Sequence, residues 1–386
     1  MKENSFTIKE IFQQPTLWNK VYDLILSQEK LVKDFINFIY ESDTDVIFTG
    51  AGSSFFIGEM VAPFFQKDSG ISARAVSTTE IVTNPLHYIN SKKETLLISF
   101  ARSGNSPESV AAVNIANQVS DKVKHLIITC NSGGELAKFL SRKDTYVILL
   151  PEESNDKSLA MTSSFTSMAL SAILIGRISK LNKERDKLFI ATEAVAELFA
   201  NQASFIDSLT SVNCERAIFL GSGAFTGTVR EAHLKLQELT DGQIISKFDS
   251  FLGFRHGPKA VVNDKTLIVY IFSNDEYLRK YEYDLVNQIK NSQNPLLTIG
   301  ICNTSIDDRI KSNLDELIEI NSGIEVLDEA YWALASLATV QLFATYKSIQ
   351  LGFNPDSPST SGSIHRVVQG VTIYNFEEIN MLEVNY

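Results

Sequence analysis

The sequence predicts an α/β protein made of two tandem doubly wound parallel sheets with a helical linker between them. Short apolar runs rich in Val, Ile and Phe lie at 45–50, 95–100, 125–130 and 145–150, and longer helical patterns separate them. Runs that are apolar throughout are typical of parallel strands covered on both faces. Strands that alternate with helices indicate a doubly wound fold.

The second half of the chain repeats the first half. The run AIFLGSG at 217–223 follows VIFTGAG at 46–52 by 171 residues, and two further matches keep this spacing to within one residue. Repeats this long indicate duplicated domains, because solenoid repeats span only about 20–50 residues. We therefore expect N-terminal helices at 1–44, a first domain with the linker helices at 45–211, a second domain at 212–352, and a tail over the active site at 353–386.

The composition argues against several classes of function. Acidic residues outnumber basic ones by 46 to 35, which disfavours general binding to nucleic acid or anionic membranes. The three cysteines form no CxxC pair, so we expect neither a disulfide framework nor a zinc knuckle. The N-terminal segment lacks the apolar core of a signal peptide, and the apolar stretch at 164–176 is too short to span a bilayer. We expect a cytoplasmic protein without nucleic-acid or membrane partners.

The first loop that can carry chemistry is GAGSS at 50–54, which follows a predicted strand and precedes a helix. Its glycines let the backbone approach a ligand, and the N-terminus of the helix attracts an anion. A dinucleotide fingerprint needs a third glycine, but Phe55 occupies that position in the first domain and Thr226 in the second, so this interpretation is disfavoured. The remaining alternatives are a phosphate loop that uses Ser53 and Ser54, or a tight turn in which these serines cap the helix.

The second loop, SFARSGNSPES at 99–109, also follows a predicted strand. Arg102, Ser103 and Ser106 surround a glycine, and Pro107 suits the first turn of a helix with Ser106 as its N-cap. A capped helix after a polar turn is one interpretation. Two such loops at neighbouring strand ends favour a phosphate site made of hydroxyls and backbone amides, because ligands bind outside the carboxyl ends of parallel strands.

A third hydroxyl-rich segment, KSLAMTSSFTSM at 157–168, precedes an apolar helix. Its Thr162 and Ser163 can cap that helix, line the ligand, or do both. In the second domain, the helix at 229–239 places Glu231, Lys235 and Glu238 on one face, because they stand at positions i, i+4 and i+7. Taken alone, this spacing predicts a solvated ladder of salt bridges.

The sequence contains five histidines, and His256 differs from the rest because it lies in the turn motif HGP. The other four, His87, His125, His233 and His365, show no ligand spacing with one another or with His256. A metal site is therefore not expected.

Together these segments resemble the sugar isomerase (SIS) family, specifically proteins with two tandem SIS domains of the AgaS type. The strings that carry the resemblance are TGAGSSFFIGE, SFARSGNSPESV, SLAMTSSFTSM, FRHGPKAVVN and RVVQGVTIY. Members of this type are galactosamine-6-phosphate deaminases/isomerases or tagatose-6-phosphate ketose/aldose isomerases. The isomerase half of glucosamine-6-phosphate synthase is a more distant relative.

The resemblance implies a role for several residues. Ser54, Ser103 and Ser106 stand where the family binds phosphate, with Ser53 and Arg102 beside them. The string LKLQE resembles the family's LKLKE, which makes Glu238 the expected catalytic base and Lys235 a neighbour of the substrate. His256 matches the histidine that opens the sugar ring and reaches the site from the partner subunit, so the resemblance implies a homodimer.

The resemblance also sets the expected reaction. Gln369 stands where the synthase has an active-site lysine, so a Schiff base at that position is not supported, and no cofactor is implied. The synthase's glutamine-hydrolysing half is not found, which favours the degradative direction. We expect conversion of D-galactosamine 6-phosphate into D-tagatose 6-phosphate and ammonia. The alternatives are a plain tagatose-6-phosphate ketose/aldose isomerase and a non-catalytic module that binds sugar phosphates.

Overall fold

The computed structural model describes residues 5–320 and 326–376. The described residues form two parallel sheets of five strands each. The strands are β1 (Thr44–Gly50), β2 (Ala73–Ser77), β3 (Glu94–Ala101), β4 (Val123–Thr129), β5 (Thr145–Leu149), β6 (Arg216–Leu220), β7 (Ile245–Asp249), β8 (Thr266–Ile271), β9 (Leu297–Cys302) and β10 (Glu316–Glu319).

The order of the strands confirms two units of the same fold. The first sheet runs β2-β1-β3-β4-β5, and the second runs β7-β6-β8-β9-β10, which is the same order with every strand moved five places along the chain. All pairings are parallel, and Val46 of β1 lies between Ala73 of β2 and Leu96 of β3. We call β1–β5 with their helices the first unit and β6–β10 with theirs the second unit.

Fourteen α-helices connect and cover the strands in the described residues. They are α1 (Phe6–Phe12), α2 (Gln14–Ser27), α3 (Glu29–Ile36), α4 (Ser53–Ser69), α5 (Thr78–Thr83), α6 (Pro85–Tyr88), α7 (Pro107–Val119), α8 (Ser163–Gly176), α9 (Glu184–Leu209), α10 (Phe225–Leu239), α11 (Phe251–Phe254), α12 (Glu276–Ser292), α13 (Asp308–Lys311) and α14 (Glu329–Gln350). Short 3₁₀ turns lie at Asn37–Tyr40, Glu135–Ser141, Glu152–Ser154, Ile178–Lys183 and Pro258–Val261.

Both faces of each sheet are covered, as a doubly wound fold requires. Successive residues of β1 point to opposite faces, and accordingly Ile47 packs in a core beneath α5 and α7 while Phe48 packs in the central core. The central core continues into the second unit, where it includes Phe219 and Val269. The two units therefore share one apolar interior.

The helices that join the units form much of this shared interior. We expected two helices between 159 and 211, and α8 and α9 lie there. Every residue of α8 is buried, and so is most of the long closing helix α14. Among the described residues, no helix is long and apolar enough to cross a membrane.

A close crossing between α4 and α10 fixes one face of α10 against the first unit. A Cβ atom added at Gly227 of α10 would lie 2.3 Å from the backbone nitrogen of Met60 in α4, so only glycine allows this approach. One turn further along, Arg230 donates to Glu59 at 2.5 Å. The charged face of α10 thereby reaches the strand ends of the first unit.

The segment that follows α14 is irregular but anchored at three places. Asp356 accepts hydrogen bonds from the backbone and hydroxyl of Thr7 in α1, and Thr360 donates to Asp241 just after α10. Arg366 donates to the backbone oxygen of Asp156 and to the side chain of Asn155. We call residues 353–376 the tail.

Candidate active site

A cavity of about 350 Å³ lies where the carboxyl ends of β1 and β3 meet α10 and the tail. In this strand order, the connections after β1 and β3 leave in opposite directions, and such a switch point is the usual ligand site of an open α/β sheet. The lining residues come from both units and the tail: Ala51, Gly52, Ser53, Ser54, Ala101, Arg102, Ser103, Ser106, Ser109, Leu159, Met161, Leu234, Lys235, Glu238, Ser363, Ile364, His365, Arg366, Val368 and Gln369.

The serines of the two loops face this cavity with few competing contacts. Ser106 occupies the N-cap position of α7 as expected, but its hydroxyl makes no capping hydrogen bond. The N-cap of α4 is Gly52 at φ 56°, so Ser53 and Ser54 do not cap that helix from outside. Ser54 Oγ contacts only the Met161 sulfur, at 4.0 Å, among hydrogen-bond partners in the described residues. The hydroxyls of Ser54 and Ser106 therefore remain able to bind a ligand.

Arg102 brings a buried positive charge to the same wall. Its guanidinium is 7% exposed and donates to the backbone oxygens of Ser158, Leu159 and Arg366. Among the described residues, no carboxylate lies within 4 Å of it. Burial lowers the pKa of Arg102 and the nearby Arg366 lowers it further, while the more distant carboxylates of Asp156 and Glu238 partly oppose these effects. An anionic ligand would offset this charge, because a buried unpaired cation is costly.

The charged face of α10 contributes an ion-paired lysine and glutamate to the cavity. Lys235 Nζ lies 2.5 Å from Glu238 Oε2 and 3.3 Å from Glu231 Oε1. The side chain of Lys235 is 1% exposed, that of Glu231 is fully buried and that of Glu238 is 23% exposed. The prediction of a solvated ladder was wrong, because the crossing with α4 covers this face.

The electrostatics of the three groups follow from this burial. Burial raises the pKa of Glu231 to about 7, although the neighbouring Lys235 opposes the shift. The pKa of Lys235 is raised despite its burial, because the two carboxylates stabilise the ammonium form. Lys235 is therefore protonated at neutral pH, and Glu238 is the carboxylate of the pair that reaches the cavity.

Two of the expected ligand residues lie elsewhere. Thr162 and Ser163 are fully buried at the start of α8 and do not line the cavity. The Thr162 amide and the Ser163 hydroxyl both donate to Asp156, at 2.8 and 2.5 Å. In this structure the two residues bind Asp156 and so help to hold the loop that carries Leu159 and Met161. Their expected contact with the ligand stays a prediction.

His256 is exposed on the turn after α11 and does not line the cavity of its own chain. Gly257, which follows it, has φ 119°, a conformation that favours glycine. Glu80, whose role the sequence left open, accepts a hydrogen bond from Tyr88 and also lies outside the cavity lining.

The tail lines the cavity with two residues, His365 and Arg366, to which the sequence analysis gave no role at the site. Gln369, the position where the synthase has lysine, lines it as well. An irregular segment has no hydrophobic period from which its course could be predicted. The match RVVQGVTIY was the one available signal, because it begins at Arg366.

Comparison with known proteins agrees with these features. The SIS domain family matches residues 38–175. The chain is 37% identical over 375 residues to D-galactosamine-6-phosphate deaminase AgaS of Shewanella sp. strain ANA-3. The alignment covers 96% of this chain and 92% of that protein.

Two solved structures share the whole architecture. One is a candidate tagatose-6-phosphate ketose/aldose isomerase from Clostridium novyi, with 40% identity, a TM-score of 0.92 and coverage of 96% of this chain and 95% of the other. The second is tagatose-6-phosphate ketose/aldose isomerase from Escherichia coli, with 33% identity, a TM-score of 0.89 and coverage of 97% and 98%.

Proposed function

The chain belongs to the AgaS-type family of SIS-domain proteins, and from that premise we propose that it converts D-galactosamine 6-phosphate and water into D-tagatose 6-phosphate and ammonia. The observation that carries this proposal is the convergence in one cavity of open serine hydroxyls, a buried arginine and the Glu238–Lys235 pair. The AgaS relatives at 35–37% identity are named for this deamination.

The phosphate group binds at the strand ends of the first unit. Ser54, Ser103 and Ser106 donate hydroxyl hydrogen bonds, and the N-termini of α4 and α7 add backbone amides. Ser53 and Arg102 complete the set, and Arg102 supplies the charge that the phosphate neutralises. Thr162 and Ser163 act through the loop that they hold.

Glu238 is the base of the hydrogen transfer. It removes the proton from C2 of the open-chain amino aldehyde, while the carbonyl oxygen accepts a proton, and return of a proton to C1 gives the C2 imine. The Lys235 ammonium stabilises the negative charge that develops on the oxygen. Hydrolysis of the imine then releases ammonia, so amino sugar plus water balances ketose plus ammonia.

His256 opens the sugar ring from the partner subunit of a homodimer. Its exposure, and its absence from the cavity lining of its own chain, support a role across an interface. A mixture of the variants His256→Ala and Glu238→Gln would test this assignment. Each heterodimer has one site with both intact groups, so the mixture should regain about a quarter of the wild-type activity if subunits pair at random.

The function is tested by offering galactosamine 6-phosphate and tagatose 6-phosphate to the purified protein and measuring ammonia and the aldose–ketose interconversion. We expect ammonia to be released in step with ketose formation. Glu238→Gln should lose roughly 10²–10⁴-fold in turnover, because a positioned acid–base group contributes about that much, while the substrate still binds. Full activity in this variant would exclude Glu238 as the base.

A plain ketose/aldose isomerase is the second candidate, because the two solved structures compared above are named for that activity. It predicts interconversion of tagatose 6-phosphate without ammonia release from the amino sugar. A non-catalytic binding module predicts neither activity, and the buried Glu238–Lys235 pair in the cavity argues against it. All three buried cysteines are free, which supports a reducing, cytoplasmic setting.

A further inference from the structure

The release of the amino group needs a proton carrier that the hydrogen transfer does not use. Water must lose a proton as it adds to the imine carbon, and the nitrogen must gain one before it leaves. A side chain that accepts and donates a proton near neutral pH serves both steps. This requirement rests on the proposed deamination.

The cavity contains few groups of this kind. Among the residues that line it, the side chains that ionise are Arg102, Lys235, Glu238, His365 and Arg366. The two arginines remain protonated at all physiological pH values. This leaves Lys235, Glu238 and His365.

Lys235 does not fit the task. Its ammonium group is held between two carboxylates, at 2.5 and 3.3 Å, and those carboxylates raise its pKa. A lysine that attacks a carbonyl or shuttles protons must spend time as the neutral amine. Glu238 is hydrogen-bonded to this ammonium and serves the transfer between C2 and C1.

His365 has the opposite environment. It is exposed and lines the cavity, and its ring makes no hydrogen bond or ion pair with the residues that the structure describes. Imidazole changes its charge closer to neutral pH than any other side chain. Both ring nitrogens are therefore available to a substrate and to water.

The position of His365 is fixed by its neighbour in the chain. Arg366 donates to the Asp156 backbone oxygen at 2.9 Å and to Asn155 at 2.7 Å, and its own backbone oxygen accepts from Arg102 at 2.8 Å. The tail is thus tied to the phosphate-binding wall one residue away from the imidazole. Arg102, which we propose binds the phosphate, thus also helps to fix the position of His365.

We propose that His365 is the acid–base catalyst of the amine-release half of the reaction, distinct from the Glu238 base of the hydrogen-transfer half. Water adds to the C2 iminium carbon and gives its proton to His365. The imidazolium passes that proton to the nitrogen, and the C2–N bond breaks as the C2 hydroxyl gives its proton to His365 and becomes the ketone. The departing ammonia takes this second proton from His365 and leaves as ammonium. Iminium plus water gives ketone plus ammonium, and the enzyme forms no covalent bond to the sugar.

The two halves are separated by measuring them on different substrates. Exchange of solvent deuterium into C1 of tagatose 6-phosphate reports the hydrogen transfer alone, whereas ammonia from galactosamine 6-phosphate requires both halves. In His365→Gln, ammonia release should fall by roughly 100-fold or more, while deuterium exchange continues at the wild-type rate. His87→Gln is the matched control, because His87 is exposed on α6 and lies outside the cavity lining.

Chemical rescue adds a second measurement. His365→Ala leaves space for a small base, so added imidazole should restore part of the ammonia release without changing deuterium exchange. Unchanged ammonia release in His365→Gln, or an equal loss in both measurements, would overturn the assignment while leaving the deaminase function intact. Wild-type protein that exchanges deuterium but releases no ammonia would overturn the proposed deamination, and this assignment with it.

Discussion

The two units have the same strand order but treat the polar groups at their strand ends differently. In the first unit, the hydroxyls of Ser54 and Ser106 have no strong partner within the protein and face the cavity. In the second unit, Ser222 Oγ accepts from the Phe251 amide and Ser273 Oγ donates to Glu329 at 2.6 Å. The serine hydroxyls of the first unit are thus open to a ligand, whereas those of the second unit form hydrogen bonds within the protein.

The helix that follows the first strand also differs between the units. In the first unit, α4 brings Ser53 and Ser54 to the cavity at its N-terminus. In the second unit, α10 contributes nothing at its N-terminus but brings Lys235 and Glu238 from its middle and end. The helix at the same place in each unit therefore brings different groups to one shared cavity: serine hydroxyls from α4 and a charged pair from α10.

The largest effect should follow from removing the cation that α10 contributes. Lys235→Met leaves Glu231 fully buried without its ion-pair partner, and breaking a buried pair in this way costs about 3–5 kcal/mol. We expect that loss in the free energy of unfolding, measured by denaturant titration, together with loss of turnover. The double variant Glu231→Gln, Lys235→Met should recover part of the stability. Unchanged stability in Lys235→Met would show that the Glu231–Lys235 ion pair does not stabilise the fold.

The next effect separates the serines of the two units. Ser103→Ala with Ser106→Ala removes two cavity hydroxyls that we propose bind the phosphate, and each hydrogen bond to a charged group contributes about 1.5–3 kcal/mol. The KM for sugar phosphate should rise by at least about 100-fold with little change in stability. The matched pair Ser222→Ala with Ser273→Ala should lower stability and leave KM unchanged. A rise in KM for the second pair would contradict the division of roles.

The fold was largely predictable, because its central strands are continuous apolar runs and its duplication preserves their spacing. Three of the four edge strands, β2, β7 and β10, gave weaker signals: each carries polar or charged residues such as Arg74, Lys247 and Glu316, and each is only partly buried. An edge strand pairs on one side only, so its sequence is less constrained to be apolar. The order of the strands came from the structure alone.

The candidate site was predictable only where its residues lie in recognisable strings. The structure brings Ser54, Arg102, Lys235 and Glu238 into one cavity, although they come from separate parts of the sequence. Their proximity depends on the crossing of two helices, which no local pattern encodes. His365 was missed for a related reason, because its position depends on tertiary hydrogen bonds of the tail.

That helix crossing leads to a third, smaller effect. Gly227→Ala places a Cβ atom 2.3 Å from the Met60 nitrogen, so α10 must move away from α4. Overpacking of this kind typically costs about 1–3 kcal/mol. We expect lower thermal stability and lower turnover, because Glu238 moves relative to the phosphate-binding serines. Gln237→Ala, on the exposed side of the same helix, is the control; equal behaviour of the two variants would exclude the crossing as the feature that aligns the units.

The smallest effect, taken over a single pH unit, concerns two buried carboxyl groups of the second unit, one beside the shared cavity and one away from it. Burial raises the pKa of Glu231, beside the cavity, to about 7, and that of Glu282, beneath the second unit's loop, to about 8. A carboxyl group whose pKa is higher in the folded state binds more protons when folded, so stability falls as pH rises from the unfolded pKa to the folded one.

For Glu282 this interval runs from 4.5 to about 8, and within it each pH unit should cost about 1.4 kcal/mol. Glu282→Gln keeps an acceptor for the Ser273 amide but cannot ionise, so its stability should decline less steeply with pH while its activity stays at the wild-type level. Glu231→Gln should make the free energy of unfolding less dependent on pH up to about pH 7. It should also alter turnover, because Glu231 contacts Lys235. Denaturant titrations at several pH values, paired with activity assays, would distinguish the effect of the Glu282 variant from that of the Glu231 variant. If Glu282→Gln lost activity as well, the second unit's strand ends would have a functional role that its occupied hydroxyls argue against.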